Sequence, residues 1–160
     1  MVFLKTRPIT PSELMPVFAP QDLINGIHGS LAADQGLVEV KNGKGSCGAY
    51  IYSIVKTAKE PAGVQYCLVL HLCDDDGAVE IVGFFEEVGS TGGRETAVFE
   101  MSLRSGAVKS SDITRWQYDP YDPGRKEGFL MNISERAEYD ELFKEHPLSK
   151  LRGLVSMIVG

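Results

Sequence analysis

From residue 37 to residue 87, apolar side chains recur at alternate positions, and turn-forming residues break the pattern at intervals. That is the signature of successive half-buried strands. Leu37-Val38-Glu39-Val40-Lys41 runs into Asn42-Gly43, a dipeptide that favours tight hairpins. Residues 47–56 carry Tyr50, Ile51, Tyr52, Ile54 and Val55, and residues 64–73 carry Val64, Tyr66, Leu68, Val69, Leu70 and Leu72. A turn through Asp74, Asp75, Asp76 and Gly77 leads into a fourth strand at 78–87. Three short connections predict an antiparallel meander, because parallel neighbours need long crossovers.

Helical spacing marks both ends of the chain. Pro20 opens a stretch with Leu23, Ile24, Ile27 and Leu31 at steps of three and four, so 20–34 reads as an amphipathic helix. Ahead of it, Thr10-Pro11-Ser12-Glu13 has the pattern of a capping box, stopped by Pro16. After the meander, Ala97, Val98 and Met101 favour a helix over 94–104, although Thr96, Val98, Phe99 and Ser102 also fit a fifth strand. Asn132-Ile133-Ser134-Glu135 offers another helix start, and Leu148, Leu151, Val155 and Ile158 predict a final amphipathic helix beyond Pro147. The expected fold is α+β: a four- to five-stranded antiparallel meander packed with an N-terminal helix and C-terminal helices, in one domain over 1–160.

Alternation along 64–73 sets Leu68, Leu70 and Leu72 on one face and Cys67, Val69, His71 and Cys73 on the other. With Ile51, Val82 and Phe84 beside Val69, the second face is half apolar. Such a face is expected to be covered by the terminal helices or by another chain, homodimerisation included.

Composition narrows the class. Hydrophobic residues at 43% and charged residues at 24% exclude disordered, collagen-like and coiled-coil chains. No apolar run approaches the roughly 18 residues of a membrane span. Residues 1–8 are too short and too early broken for an export signal, and three cysteines do not pair evenly. A cytoplasmic protein with free thiols is therefore expected. The net charge of −6 argues against nucleic acid as a partner. All of that charge lies in 61–104, where only Arg94 and Arg104 stand against Asp74, Asp75, Asp76, Glu80, Glu86, Glu87, Glu95 and Glu100. A field of this sign steers basic partners toward it.

Three sets of residues could carry chemistry. Trp116, Tyr118 and Tyr121 lie among Asp119-Pro120 and Asp122-Pro123-Gly124, which fix turns, so they read as partner anchors or as a lid over the core. With them goes the acidic turn of Asp74, Asp75 and Asp76 as a partner-binding element. Gly89-Ser90-Thr91-Gly92-Gly93-Arg94 follows a strand and precedes a helix, the order of an anion cradle built on Gly92, Gly93 and Arg94. It lacks a phosphate-loop signature, and Glu86, Glu87 and Glu95 would repel a polyphosphate. Hairpins closing about Glu60 and about Asp76-Gly77 would bring Cys47, His71, Cys73 and Glu80 to one face, a zinc-like donor set that a one-residue slip destroys. No nucleophile sits in a recognisable catalytic context, and neither a cofactor nor a metal is expected.

These readings favour a non-catalytic, small acidic protein-binding module whose partner is a polypeptide, a basic one by charge. In size, charge and architecture the chain is similar to small acidic bacterial interaction proteins such as secretion chaperones and toxin-immunity proteins, without a shared motif. Two alternatives stand beside it. One is a small-ligand or metal-dependent enzyme using the 89–94 loop or the Cys47/His71/Cys73 cluster; the other is a self-associating structural module.

Overall fold

The computed structural model describes residues 2–160; Met1, which opens the segment weighed above as an export signal, lies outside them. In chain order the elements are β1 Val2–Ile9, α1 Pro20–Ser30, β2 Gln35–Gly45, β3 Gly48–Ala58, β4 Val64–Asp74, β5 Gly77–Glu86, α2 Gly93–Ser105, the short β6 Gln117–Tyr118 and β7 Met131–Asn132, and α3 Pro147–Val159. β1 to β5 form one antiparallel sheet in the order β1-β5-β4-β3-β2. The fold is α+β, with one helix near the N-terminus and helices in the C-terminal half. No helix among the described residues is long and apolar enough to cross a membrane.

The fifth strand is β1, which pairs with β5 from Val2↔Phe85 to Ile9↔Ala78. The stretch 94–104, which also fitted a strand, is helical. Gly92 and Gly106 bracket it with φ of 78° and 77°, left-handed positions that glycine adopts at little cost. Val98 then packs inward against Val108 and Ile133. Thr10 to Glu13 makes only a turn: the Glu13 carboxylate accepts from the Thr10 N–H at 2.9 Å and from Arg7 at 2.7 Å. The Thr10 amide first, then the Arg7 guanidinium, hold that carboxyl down to about 2. α1 ends at Ser30 rather than 34, where Leu31 turns extended with ψ of 129°; Gly36 belongs to β2, where any Cβ would lie 1.8 Å from the Phe129 carbonyl oxygen.

The two faces of the sheet are covered differently. On one face Tyr52, Ile54, Tyr66, Leu68, Leu70 and Phe85 pack under Leu148, Leu151 and Val155 of α3. A bulge between Leu37 and Glu39 turns Glu39 toward that side as well, where it accepts from the Tyr52 hydroxyl at 2.5 Å and from Arg152 at 2.7 Å. On the other face α1 covers Leu37, Val40 and Val55 with Ile24 at the centre. The segment after β1 covers His71, whose Nδ1 accepts from the Met15 N–H at 2.9 Å. Cover within the chain is partial. Phe3, 58% exposed, meets Phe84 at a centroid distance of 6.3 Å beside the half-buried Cys67, Val69 and Val82.

Both inner hairpins differ from the expected register by two residues. Ala49, not Cys47, faces Cys73, and Ala78, not Glu80, faces Cys73. Asp74 explains the second shift: its Oδ1 accepts from the N–H groups of Asp76 and Gly77, so the turn closes over Asp75-Asp76. Cys47 lies exposed in the β2–β3 turn, and Glu80 opposes His71 instead, at 3.1 Å. Cys47, His71, Cys73 and Glu80 therefore do not assemble into a donor set.

Candidate binding cleft

The residues singled out in the sequence sit in three places. Trp116 is half-buried and meets the Phe99 ring edge-on at 5.0 Å. Tyr118 accepts from the Arg136 guanidinium at 2.8 Å. The Tyr121 hydroxyl accepts from the Val40 N–H at 2.6 Å and donates to the Val40 carbonyl at 3.1 Å, closing over the outer edge of β2. Burial pushes the Tyr121 hydroxyl's pKa up. The three aromatics are thus engaged within the chain. Asp74, Asp75 and Asp76 project from the exposed β4–β5 turn.

Arg94 is spent internally. Its guanidinium donates to the Ser134 carbonyl at 2.6 Å, the Ser149 hydroxyl at 2.8 Å, the Arg136 carbonyl at 3.0 Å and Asp140 at 3.1 Å. With its side chain 1% exposed, it ties α2 to α3 and is not a free anion ligand. Gly92 and Gly93 cap and open α2, and the Gly92 N–H donates to Glu87 at 3.0 Å. A carboxylate of the chain itself thus takes one of the amides an anion would have used.

Beside this loop lies a cleft of about 880 Å³ between the end of β5, the start of α2 and residues 141–147. Val2, Val88 and Leu142 line it, each more than half exposed. Glu86, Glu87, Glu141 and Glu145 contribute carboxylates. The two lysines present, Lys144 and Lys150, are paired with Glu141 at 3.0 Å and Glu145 at 2.6 Å.

Behind two of its lining residues, Glu87 and His146, lies Glu95 of α2, and each of the three offers a donor atom within 4.8 Å of the others. His146 is the N-cap of α3: its Nδ1 accepts from the Leu148 N–H at 3.3 Å, which leaves Nε2 facing Glu87 at 3.7 Å. Desolvation first, and then Arg94, hold the imidazole down to about 4, so it is neutral at pH 7. Glu95 is pushed the other way: burial, then the nearby Glu135 and Glu87 carboxylates, raise it above the ordinary range. Its Oε2 is a buried oxygen with no hydrogen-bond partner among the described residues. The sequence pattern missed this trio because His146 lies far along the chain from Glu87 and Glu95. The one local signal was His146-Pro147 at a helix start, a position where a side chain turns back toward the preceding structure.

Comparison of the chain with protein-family models, curated proteins and solved structures returns no match.

Proposed function

We propose that the protein is a binding module that receives an extended, basic segment of a partner polypeptide along the free edge of β1. The observation that carries this reading is the asymmetry of the two sheet edges. Tyr121 plugs the edge of β2 at Val40, whereas seven of the eight β1 residues are exposed and no element among the described residues pairs with the outer side of the strand. An unpaired edge offers alternate N–H and C=O groups to an added strand, with side-chain pockets on both faces for specificity. Val2 and Leu4 supply apolar surface on one face, and Phe3 with Phe84 on the other.

Charge supports a basic occupant. Near Val2 the edge ends at the cleft with Glu86 and Glu87, and near Ile9 it ends beside Asp74, Asp75 and Asp76. Arg7, the cation on β1 closest to that turn, is already paired with Glu13 and Glu80. Eight residues of strand separate the two acidic ends by about 27 Å at roughly 3.4 Å per residue. The segment taken up thus carries basic residues seven or eight positions apart. A second copy of this chain fits less well, because pairing in either direction brings acidic ends together.

The test is affinity capture from the native cell, followed by binding measurements with the captured partner's basic segments. Val2→Glu combined with Phe3→Glu should abolish binding while the melting temperature stays within a few degrees. Unchanged binding in that double variant removes the edge from the proposal.

A further inference from the structure

We propose that Glu87, Glu95 and His146 form a binding site for a divalent metal ion of the zinc class, beside the cleft that Glu87 and His146 line. The inference goes beyond strand addition and does not depend on what occupies β1. The donor set is mixed, two carboxylate oxygens and one imidazole nitrogen, which suits zinc and its neighbours rather than calcium or magnesium. A tetrahedral ion with bonds near 2.0–2.1 Å holds its donors about 3.4 Å apart. The 3.7 Å from Glu87 Oε1 to His146 Nε2 is close to that spacing, and all three donors fall within 4.8 Å. Two of the three ligands, Glu87 and His146, also line the cleft.

A second observation points the same way. Glu95 Oε2 is removed from solvent and lacks any hydrogen-bond donor among the described residues, although the Glu87 and Glu135 carboxylates lie close enough to repel it. A buried carboxylate oxygen without a donor is costly, and a cation between it and Glu87 removes both the vacancy and the repulsion. Arg94, next in sequence, does not supply that charge, because its guanidinium is committed to four other oxygens.

Binding has a structural consequence specific to this geometry. With Nδ1 accepting from the Leu148 N–H, the neutral imidazole carries its proton on Nε2. Coordination through Nε2 moves that proton to Nδ1 and gives up the 3.3 Å capping bond. The first turn of α3 therefore responds when the ion binds.

The experiment titrates the full chain, carrying Cys47→Ser and Cys73→Ser so that these thiols do not compete, with Co²⁺ and Zn²⁺. One ion should bind per chain, and the Co²⁺ spectrum should show ligand-field bands without thiolate charge transfer. Glu95→Gln and His146→Asn should each weaken binding at least about tenfold. Asparagine can still cap the Leu148 amide, so the second variant keeps its helix start. The Leu148 amide resonance should shift on metal addition in the parent and stay in place in His146→Asn. The melting temperature should climb with ion concentration in the parent alone. Absence of a stoichiometric ion, or equal affinity in parent and variants, overturns the site.

Discussion

The Lys56 ammonium lies 2.8 Å from the Glu135 carboxylate, and both side chains are excluded from solvent. Glu135 also accepts from the Tyr66 hydroxyl at 2.9 Å and from the Asn132 N–H at 2.8 Å, and Lys56 stands 4.1 Å over the Phe129 ring. One carboxylate thus joins β3, β4 and the chain leading to α3. Glu135→Leu leaves a buried cation, a hydroxyl and an amide without their acceptor, so it should cost about 3–5 kcal/mol. Lys56→Met leaves Glu135 two of its three donors and should cost less. Denaturant melts of the two variants check that order, and an equal loss in both would mean that only the ion pair matters.

Leu70 is central in β4 and fully buried between Leu68, Tyr52 and the α3 helix. Leu70→Ala should destabilise the protein by about 2–5 kcal/mol, the range for emptying a packed site. A change below about 1 kcal/mol in the same melts would show that α3 does not close over this face.

Where local patterning was strong, the sequence already carried the fold. The meander was legible because Tyr66, Leu68 and Leu70 alternate with less apolar residues and turns follow on schedule. β1 was not legible: an edge strand half open to solvent tolerates Lys5, Arg7 and Pro8, so its alternation is erased. The Cys47/His71/Cys73/Glu80 grouping depended on two hairpin registers, and Asp74 decides that of β4–β5 by accepting from two backbone N–H groups, which no hydrophobic pattern encodes. Arg94 was visible as a cation beside glycines, but its four internal acceptors come from segments that only the tertiary fold brings near.

His146 and Glu95, side by side behind the cleft, set opposite pH limbs in the metal-free protein. His146 is held near 4 in the fold against about 6.5 when unfolded, so the unfolded chain binds more protons between those values. Stability from its neutral burial is complete above about 6.5 and falls as pH drops toward 4, by up to about 3 kcal/mol. Glu95 is raised, so its contribution is complete below the ordinary carboxyl value and is lost as pH rises through its folded value. The groups facing them are Glu87, Glu135, Arg94, Asp140, Arg152 and Lys56. His146→Asn should flatten the acid limb, and Glu95→Gln should raise the melting temperature at pH 8 with little effect at pH 4. Thermal melts across pH in the presence of a chelator read both.

Steering, anchoring and internal packing separate in the kinetics of partner binding. Asp74, Asp75 and Asp76 are exposed at one end of the β1 edge, so their field acts before contact and is screened beyond about 8 Å at physiological salt. Changing all three to Asn should lower the on-rate and its salt dependence while leaving the off-rate near parent. Phe3→Ala should instead raise the off-rate, because that ring meets the partner only after docking. Tyr121→Phe removes both bonds to Val40 and frees the β2 edge; it should lower the melting temperature without altering the off-rate at β1. Surface plasmon resonance with the captured segment, run at two salt concentrations, distinguishes the three. An off-rate that rises in Tyr121→Phe as much as in Phe3→Ala would move the docking surface to the aromatic loop and away from β1.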